Sequence, residues 1–324
     1  MAFARGVCAK RGVNRVASGP RSGSHGSSSR SSLCGMRFAL AALVVLLLAV
    51  PARGADLVLA TWNIAWLTTK PAGHPALPSY VRPRSEADFA LLRRYATALA
   101  ADVVAVQEID GPLALARVFD ATEYAFHLTA EADIQRPGFA IRRSLRFHAN
   151  PDLVALDLAP EARNSLRRGA DVTVETHGGP LRLLSVHLKA GCVRDRLADP
   201  KRFDCVQLAR QVPVLAGWIR DREREGVAYA ILGDFNRELG PREDMWRQLV
   251  QAGSLTQATG RQSSPCWGET PFIDHILLGG PARDWLVPGS LRVLVYRETD
   301  RGARDRLSDH CPVRVTLRAH PRRS

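Results

Sequence analysis

Two short segments of this 324-residue chain carry residue types suited to phosphate-ester chemistry. One is Ile231-Leu232-Gly233-Asp234-Phe235-Asn236; the other is Leu307-Ser308-Asp309-His310-Cys311-Pro312-Val313. Each joins an apolar run to a compact set of acceptors, and the second adds an imidazole. Such a set can hold a hard divalent cation and activate water against a phosphate ester. Asp234 and Asn236 stand two apart, so they face one way on an extended chain. Four further apolar runs end in polar residues: Thr61-Trp62-Asn63-Ile64, Val106-Gln107-Glu108-Ile109, Ser185-Val186-His187-Leu188-Lys189 and Phe272-Ile273-Asp274-His275. Burying any one of these groups unpaired costs free energy. Burying all of them makes sense if they converge on one cation and one phosphate. Hard oxygen donors, and cysteines without zinc-ligand spacing, favour Mg²⁺ or Mn²⁺ over Zn²⁺.

The elements that must position these residues are short β-rich runs at 57–64, 103–109, 138–141, 152–156, 172–175, 181–187, 229–232, 272–278, 291–296 and 313–317. Several are nearly continuous in hydrophobicity, as expected for strands covered on both faces. Helices interrupt them at 85–100, 205–224 and 242–251. The first has Phe89, Leu92, Ala96 and Leu99 at helical spacing and a capping box in Ser85 and Asp88. Pro213 should kink the second or start a new piece. Some strands alternate with helices and others follow one another directly, which points to mixed sheets packed together with helices outside.

The first 55 residues read as separate from this fold. Residues 1–35 are rich in Ser, Gly and Arg, lack Asp and Glu, and read as disordered or as an extension upstream of a true start at Met36. Residues 36–55 contain an apolar run, 38–50, too short to span a bilayer comfortably and suited to a signal peptide. Cleavage would follow Ala52, Gly54 or Ala55; a buried helix and an uncleaved anchor are the alternatives. This segment holds eight of the 45 basic residues and none of the 32 acidic ones, so residues 56–324 carry +5 rather than +13. That moderate basicity suits a polyanionic partner but does not specify one. With no linker or internal repeat, 56–324 reads as one catalytic domain, exported to the periplasm or secreted. Export permits disulfides. Cys192 and Cys205 bracket a polar loop and are the first pair expected; Cys266 with Cys311 is a weaker one.

Taken in order, Asn63, Glu108, His187, the Gly-Asp-Phe-Asn segment, Asp274 and the Ser-Asp-His segment resemble the endonuclease/exonuclease/phosphatase superfamily, which includes pancreatic-type deoxyribonucleases, neutral sphingomyelinases and inositol polyphosphate 5-phosphatases. The resemblance spans essentially the whole of 56–324. It implies an α/β four-layer sandwich, with two mixed β-sheets packed face to face and helices outside. It implies that Glu108 binds the metal, with Asn63 and Asp309 completing or supporting that shell. Asp234 would orient or deprotonate the attacking water, and Asn236 would hold a phosphate oxygen. His310, oriented by Asp274, would contact the phosphate or act as general base. His187 would donate on the leaving-group side, and Arg168 would contact phosphate. The tyrosine and asparagine that abasic-site endonucleases carry around the His187 strand are missing.

Each of these residues also has a structural reading. Asn63 and the Asp234–Asn236 pair could form turns, Glu108 and Asp309 could form ion pairs, and His187 could be a satisfied core histidine. Asp274 with His310 could be a structural pair, and Arg168 a solvated arginine. The functional reading is a monomeric phosphodiesterase with no stable protein partner, acting on extracellular nucleic acid. A phospholipid headgroup, in the manner of a sphingomyelinase, is the alternative substrate, although no exposed hydrophobic hairpin favours it. A catalytically silent binding module is the third reading, and the intact set of acids, amides and imidazoles argues against it.

Overall fold

A computed structural model describes residues 56–319, less 161, 163, 164, 198, 200 and 261. The expected disordered extension and signal peptide lie outside the described residues. In chain order the strands are β1 Leu57–Leu67, β2 Val103–Ile109, β3 Tyr124–Leu128, β4 Arg136–Arg142, β5 Phe147–Ala149, β6 Ala170–Thr176, β7 Gly179–His187, β8 Ala228–Asp234, β9 Leu255–Gln257, β10 Ser263–Ser264, β11 Thr270–Pro271, β12 Asp274–Gly279, β13 Arg292–Val293 and β14 Val313–Leu317. The helices are α1 Glu86–Leu99, α2 Pro112–Leu115, α3 Phe203–Glu225, α4 Asp244–Ala252 and α5 Ala303–Arg306.

Twelve strands form two six-stranded sheets, ordered β13-β14-β1-β2-β4-β3 and β5-β6-β7-β8-β12-β9. Both are built around one parallel pair, β1 with β2 and β7 with β8, and the rest is antiparallel. A parallel pair needs a crossover, and α1 and α3 supply the two. This arrangement positions the site. The C-terminal ends of β1, β2, β7 and β8 share a rim with the starts of the antiparallel strands β12 and β14.

Alternation along β1 shows how the layers form. Leu57 and Leu59 enter the core between the sheets with Val103, Ala105, Phe139, Val172, Leu183 and Ile276. Ala60, Trp62 and Ile64 point the other way, against Phe89, Leu92, Ala96 and Leu99 of α1. On the far side, Leu184, Val186 and Ile231 meet Leu208, Val212, Leu215 and Ile219 of α3 and Leu249 of α4. The result is the expected four-layer sandwich. Each buried aliphatic side chain contributes about 1.5–3 kcal/mol relative to exposure.

Local signals hold with informative exceptions. The capping box at Ser85 and Asp88 is formed. Helix α3 continues through Pro213 as one element, so the proline does not start a second piece. Its apolar stripe is anchored on the sheet on both sides of the proline, by Cys205 and Leu208 before it and Leu215 and Ile219 after it, which offsets the lost backbone donor. The run at 152–156 is not a strand but a 3₁₀ turn, Val154–Leu156, where Leu156 alone is buried. The run at 291–296 shortens to Arg292–Val293.

Candidate active site

Backbone conformation makes the site before any side chain does. Parallel strands β1 and β2 lose register between Asn63 and Leu67, and Glu108 takes a left-handed φ of 62°. Ala65 and Trp66 are left-handed too, at 40° and 53°. Non-glycine residues in this region are strained and persist only where the surroundings over-determine them. Here Arg84 over-determines them. Its guanidinium donates to the carbonyls of Ile64, Ala65 and Trp66 and to those of Arg306 and Leu307. It thereby ties the end of β1 to the loop that carries Asp309 and His310. Gly233, with φ +147°, serves the same end of β8, because a Cβ there would meet the Val186 carbonyl oxygen at 2.0 Å. Only glycine lets β7 approach closely enough to bring His187 beside Asp234.

Asn63 brackets two carboxylates. Its Nδ2 donates to Glu108 Oε1 at 3.0 Å and to Asp234 Oδ2 at 3.1 Å, while its Oδ1 accepts from the Ala65 amide. Glu108 Oε2 accepts from the Trp66 amide at 3.0 Å and from Gln135 Nε2 at 2.7 Å. His187 Nε2 lies 3.8 Å from Glu108 and 3.7 Å from Asp234. His310 Nε2 lies 3.6 Å from Asp234, and its Nδ1 is 2.8 Å from Asp274 Oδ2. One rim therefore gathers Asn63, Glu108, His187, Asp234, Asp274 and His310 from both sheets.

Three expected residues sit differently. Asn236 directs its Nδ2 at the Leu188 carbonyl and at Asp234 Oδ2, both at 3.0 Å, so its donors face the protein rather than an open phosphate position. Asp309 is about half exposed at the mouth, 4.0 Å from His310 Nε2. Arg168 belongs to a neighbouring cleft, where it donates to the Ala130 carbonyl and lies beside Glu131. That cleft shares Trp66 and Gln135 with the cluster, both of which hydrogen-bond Glu108.

Electrostatics follow from burial. Desolvation, reinforced by Asp274 and partly opposed by His310, pushes Asp234 up to about 7. Desolvation works against a charged His310, but the Asp274 and Asp234 carboxylates outweigh it and hold the imidazolium well above its usual range. Desolvation also opposes ionised Glu108, yet His187, Asn63 and Gln135 keep it below the usual carboxylate value. His187 is pushed down to about 4 by burial and so is neutral at pH 7.

Sequence reasoning missed the supports. Gln135 lies in a polar loop with no pattern to mark it. Ser308 Oγ donates to the Asn63 carbonyl at 2.7 Å and accepts from the His310 amide, joining the two halves of the site. Tyr296 accepts from Trp62 Nε1 and donates to the His310 carbonyl. Beneath the rim a buried polar ladder, Thr61 to Gln107 to Ser185, crosses from one sheet to the other. Two disulfides brace the surrounding loops. Cys192–Cys205 closes the loop after His187, and Cys266–Cys311 anchors the residue next to His310. His275, in contrast, is structural: it is buried between Thr259 Oγ1 at 2.9 Å and the Arg237 carbonyl at 2.9 Å.

No protein-family model matches this sequence, and no match is found among curated proteins. Solved structures do match. TDP2 from D. rerio, complexed with a single-strand DNA product, aligns over 81% of this chain and 98% of its own, with 17% identity and a TM-score of 0.52. An endonuclease/exonuclease/phosphatase family protein from Bacteroides thetaiotaomicron aligns over 82% and 98%, with 13% identity and a TM-score of 0.50. A Beutenbergia cavernae endonuclease/exonuclease/phosphatase aligns over 82% and 72%, with 21% identity and a TM-score of 0.50. The chain has the endonuclease/exonuclease/phosphatase fold.

Proposed function

We propose that this chain is an exported, divalent-metal-dependent phosphodiesterase that hydrolyses nucleic acid. The observation that carries the proposal is a charge deficit. Among the described residues, the partly buried carboxylate of Glu108 and the buried one of Asp234 are faced by neutral amides, neutral His187 and the His310 imidazolium, which Asp274 also claims, and no lysine or arginine pairs with either. Two carboxylates so placed are costly unless a cation joins them. The oxygen donors fit a hard divalent cation, Mg²⁺ or Mn²⁺. Glu108 would hold it, with Asn63 and Asp309 at the border of the same site. Bound there, the ion would supply Lewis-acid stabilisation of charge developing on a phosphoryl oxygen.

The chain's own residues divide the remaining work. Asp234, pushed up to about 7, is matched to accept a proton near neutrality. A water oxygen attacks phosphorus while its proton passes to Asp234, and the P–O bond to the leaving oxygen breaks. His310, held charged and oriented by Asp274, donates to a phosphate oxygen as negative charge builds. His187 is neutral, so it offers a hydrogen bond to the leaving side rather than a proton. Asn236 keeps Asp234 aimed, through its amide at 2.7 Å and its side chain at 3.0 Å. Arg168, one cleft away, would meet a more distant phosphate of a polymer.

Nucleic acid is favoured over a phospholipid headgroup because the large exposed apolar side chains Tyr80, Leu113 and Phe203 come one each from three separate segments and form no exposed apolar hairpin of their own. The two disulfides fit an oxidising compartment. Nicking of supercoiled plasmid tests the reading. Nicking that requires Mg²⁺, stops with EDTA and is lost in His310→Ala is expected. A folded protein without metal-dependent nicking overturns the nucleic-acid assignment and redirects the search to lipid and small phosphoesters.

A further inference from the structure

Beside the acid and imidazole cluster lies a cleft of about 430 Å³, lined by Trp66, Tyr80, Arg82, Glu108, Arg304 and Asp309 among others. Its floor is the Glu108 carboxylate, so whatever occupies it adjoins the reacting centre. Its walls are different in kind. Tyr80 is 73% exposed and packs edge-on against Trp66, with ring centroids 6.2 Å apart and planes at 83°. Arg304 is 61% exposed at its side chain and only loosely associated with Asp309 at 4.0 Å. Arg82 is exposed and has no carboxylate partner among the described residues.

Trp66 is held in place from two directions. Its amide donates to Glu108, and its left-handed backbone is clamped by Arg84 through the carbonyls on either side. Tyr80 sits four residues before Arg84, at the end of a loop rich in proline. Trp66 is thus the fixed half of the pair, and a fixed ring costs little entropy when a ligand stacks on it. An exposed aromatic face flanked by two guanidinium groups is the combination that binds unpaired nucleobases: the ring stacks on a base and the cations follow the phosphates.

We infer that Trp66 and Tyr80 form a stacking subsite for an unpaired nucleobase next to the scissile phosphate, with Arg82 and Arg304 meeting the adjoining backbone. The inference rests on the phosphodiesterase reading and adds a preference for single-stranded or frayed nucleic acid to it. A base-paired nucleotide has its faces covered by its neighbours in the stack, so only an extruded or unpaired base can use the subsite.

Binding rather than turnover gives the test. The full chain in EDTA is titrated with a fluorescent single-stranded DNA 12-mer, with the same oligonucleotide in duplex form, and with one carrying a central abasic residue. Tyr80→Ala is expected to weaken single-strand binding about 5- to 150-fold, the range of one base–aromatic stack. Tyr80→Phe, which keeps the ring, is expected to bind as the wild type does. The abasic oligonucleotide should lose affinity for the wild type and not for Tyr80→Ala. Equal binding by the wild type and Tyr80→Ala overturns the subsite, as does an equal loss in Tyr80→Phe. If plasmid nicking persists in that case, the subsite alone has failed. If the wild type binds no nucleic acid and nicks none, both readings fall together.

Discussion

Asp274 holds His310. Its Oδ2 lies 2.8 Å from His310 Nδ1, and its Oδ1 is buried without another partner among the described residues. The first residue of β12 and a residue three positions before β14 thus meet across the gap between the two sheets. This contact fixes the ring so that Nε2 faces Asp234, and it supplies much of the charge that keeps the imidazole protonated.

Asp274→Asn keeps the size of the side chain and removes the charge. The imidazole should then fall toward its ordinary range and be neutral over more of the working pH span. The account predicts a loss of about 10²- to 10⁴-fold in kcat, with KM little changed. It also predicts that the alkaline limb of the kcat profile moves to lower pH. An unaltered pH profile would show that Asp274 serves only to pack.

Cation binding should be visible without any substrate. A ligand that binds only the folded state stabilises it by about 2.7 kcal/mol at one hundred times its dissociation constant. Mg²⁺ is therefore expected to raise the Tm of the EDTA-treated wild type and to leave that of Glu108→Gln unmoved. Equal shifts in both proteins, read by calorimetry, would place the ion elsewhere.

The two disulfides should differ in what they protect. By the chain-entropy argument, sequence separations of 13 and 45 correspond to about 3 and about 4 kcal/mol. Cys311 adjoins His310, so Cys266→Ser with Cys311→Ser is expected to lower activity as well as stability. Cys192→Ser with Cys205→Ser should cost mainly stability. Unfolding curves and kcat measured on both double variants separate the two effects.

His275 gives a pH dependence with a definite sign. Burial pushes it down to about 4, against about 6.5 when unfolded. Between those values the unfolded chain binds the proton and the folded chain does not, so stability falls as pH falls. The full effect is about 3 kcal/mol, complete near pH 4 and absent above pH 6.5. His275→Gln keeps one donor and one acceptor but removes the proton. Its urea midpoints in EDTA should therefore decline less steeply from pH 7 to 4.5 than those of the wild type. Parallel declines would assign the acid sensitivity to the carboxylates instead.

The side chains that meet at the rim were marked in the sequence because each sits where an apolar run ends. Glu108 after Val106-Gln107 and Asp234 after Leu232-Gly233 are polar residues that an ordinary strand end would not require. The same runs marked most of the long strands, but not β3 or β5 and not the order in which strands pair. What the sequence hid depends on distance along the chain. Gln135 reaches Glu108 from a loop 27 residues away, and Arg84 spans 223 residues to Leu307. No local pattern records such contacts. The run at 152–156 misled because its hydrophobicity matches a strand, yet Val154 is exposed and only Leu156 is buried. Asn236 reads as a phosphate donor by position, and its contacts to Leu188 and Asp234 are not visible in that reading.

The most direct test of the central claim uses a substrate with no base to stack and no lipid to insert. Hydrolysis of bis(4-nitrophenyl) phosphate is followed with the wild type and with Glu108→Gln, Asp234→Asn and His310→Ala, in Mg²⁺ and in EDTA. If the converged rim is a metal-dependent phosphodiesterase centre, only the wild type with Mg²⁺ turns over at an appreciable rate, and each folded variant falls by about 10²-fold or more. Turnover that survives EDTA, or that His310→Ala and Glu108→Gln retain at wild-type rates, would contradict it.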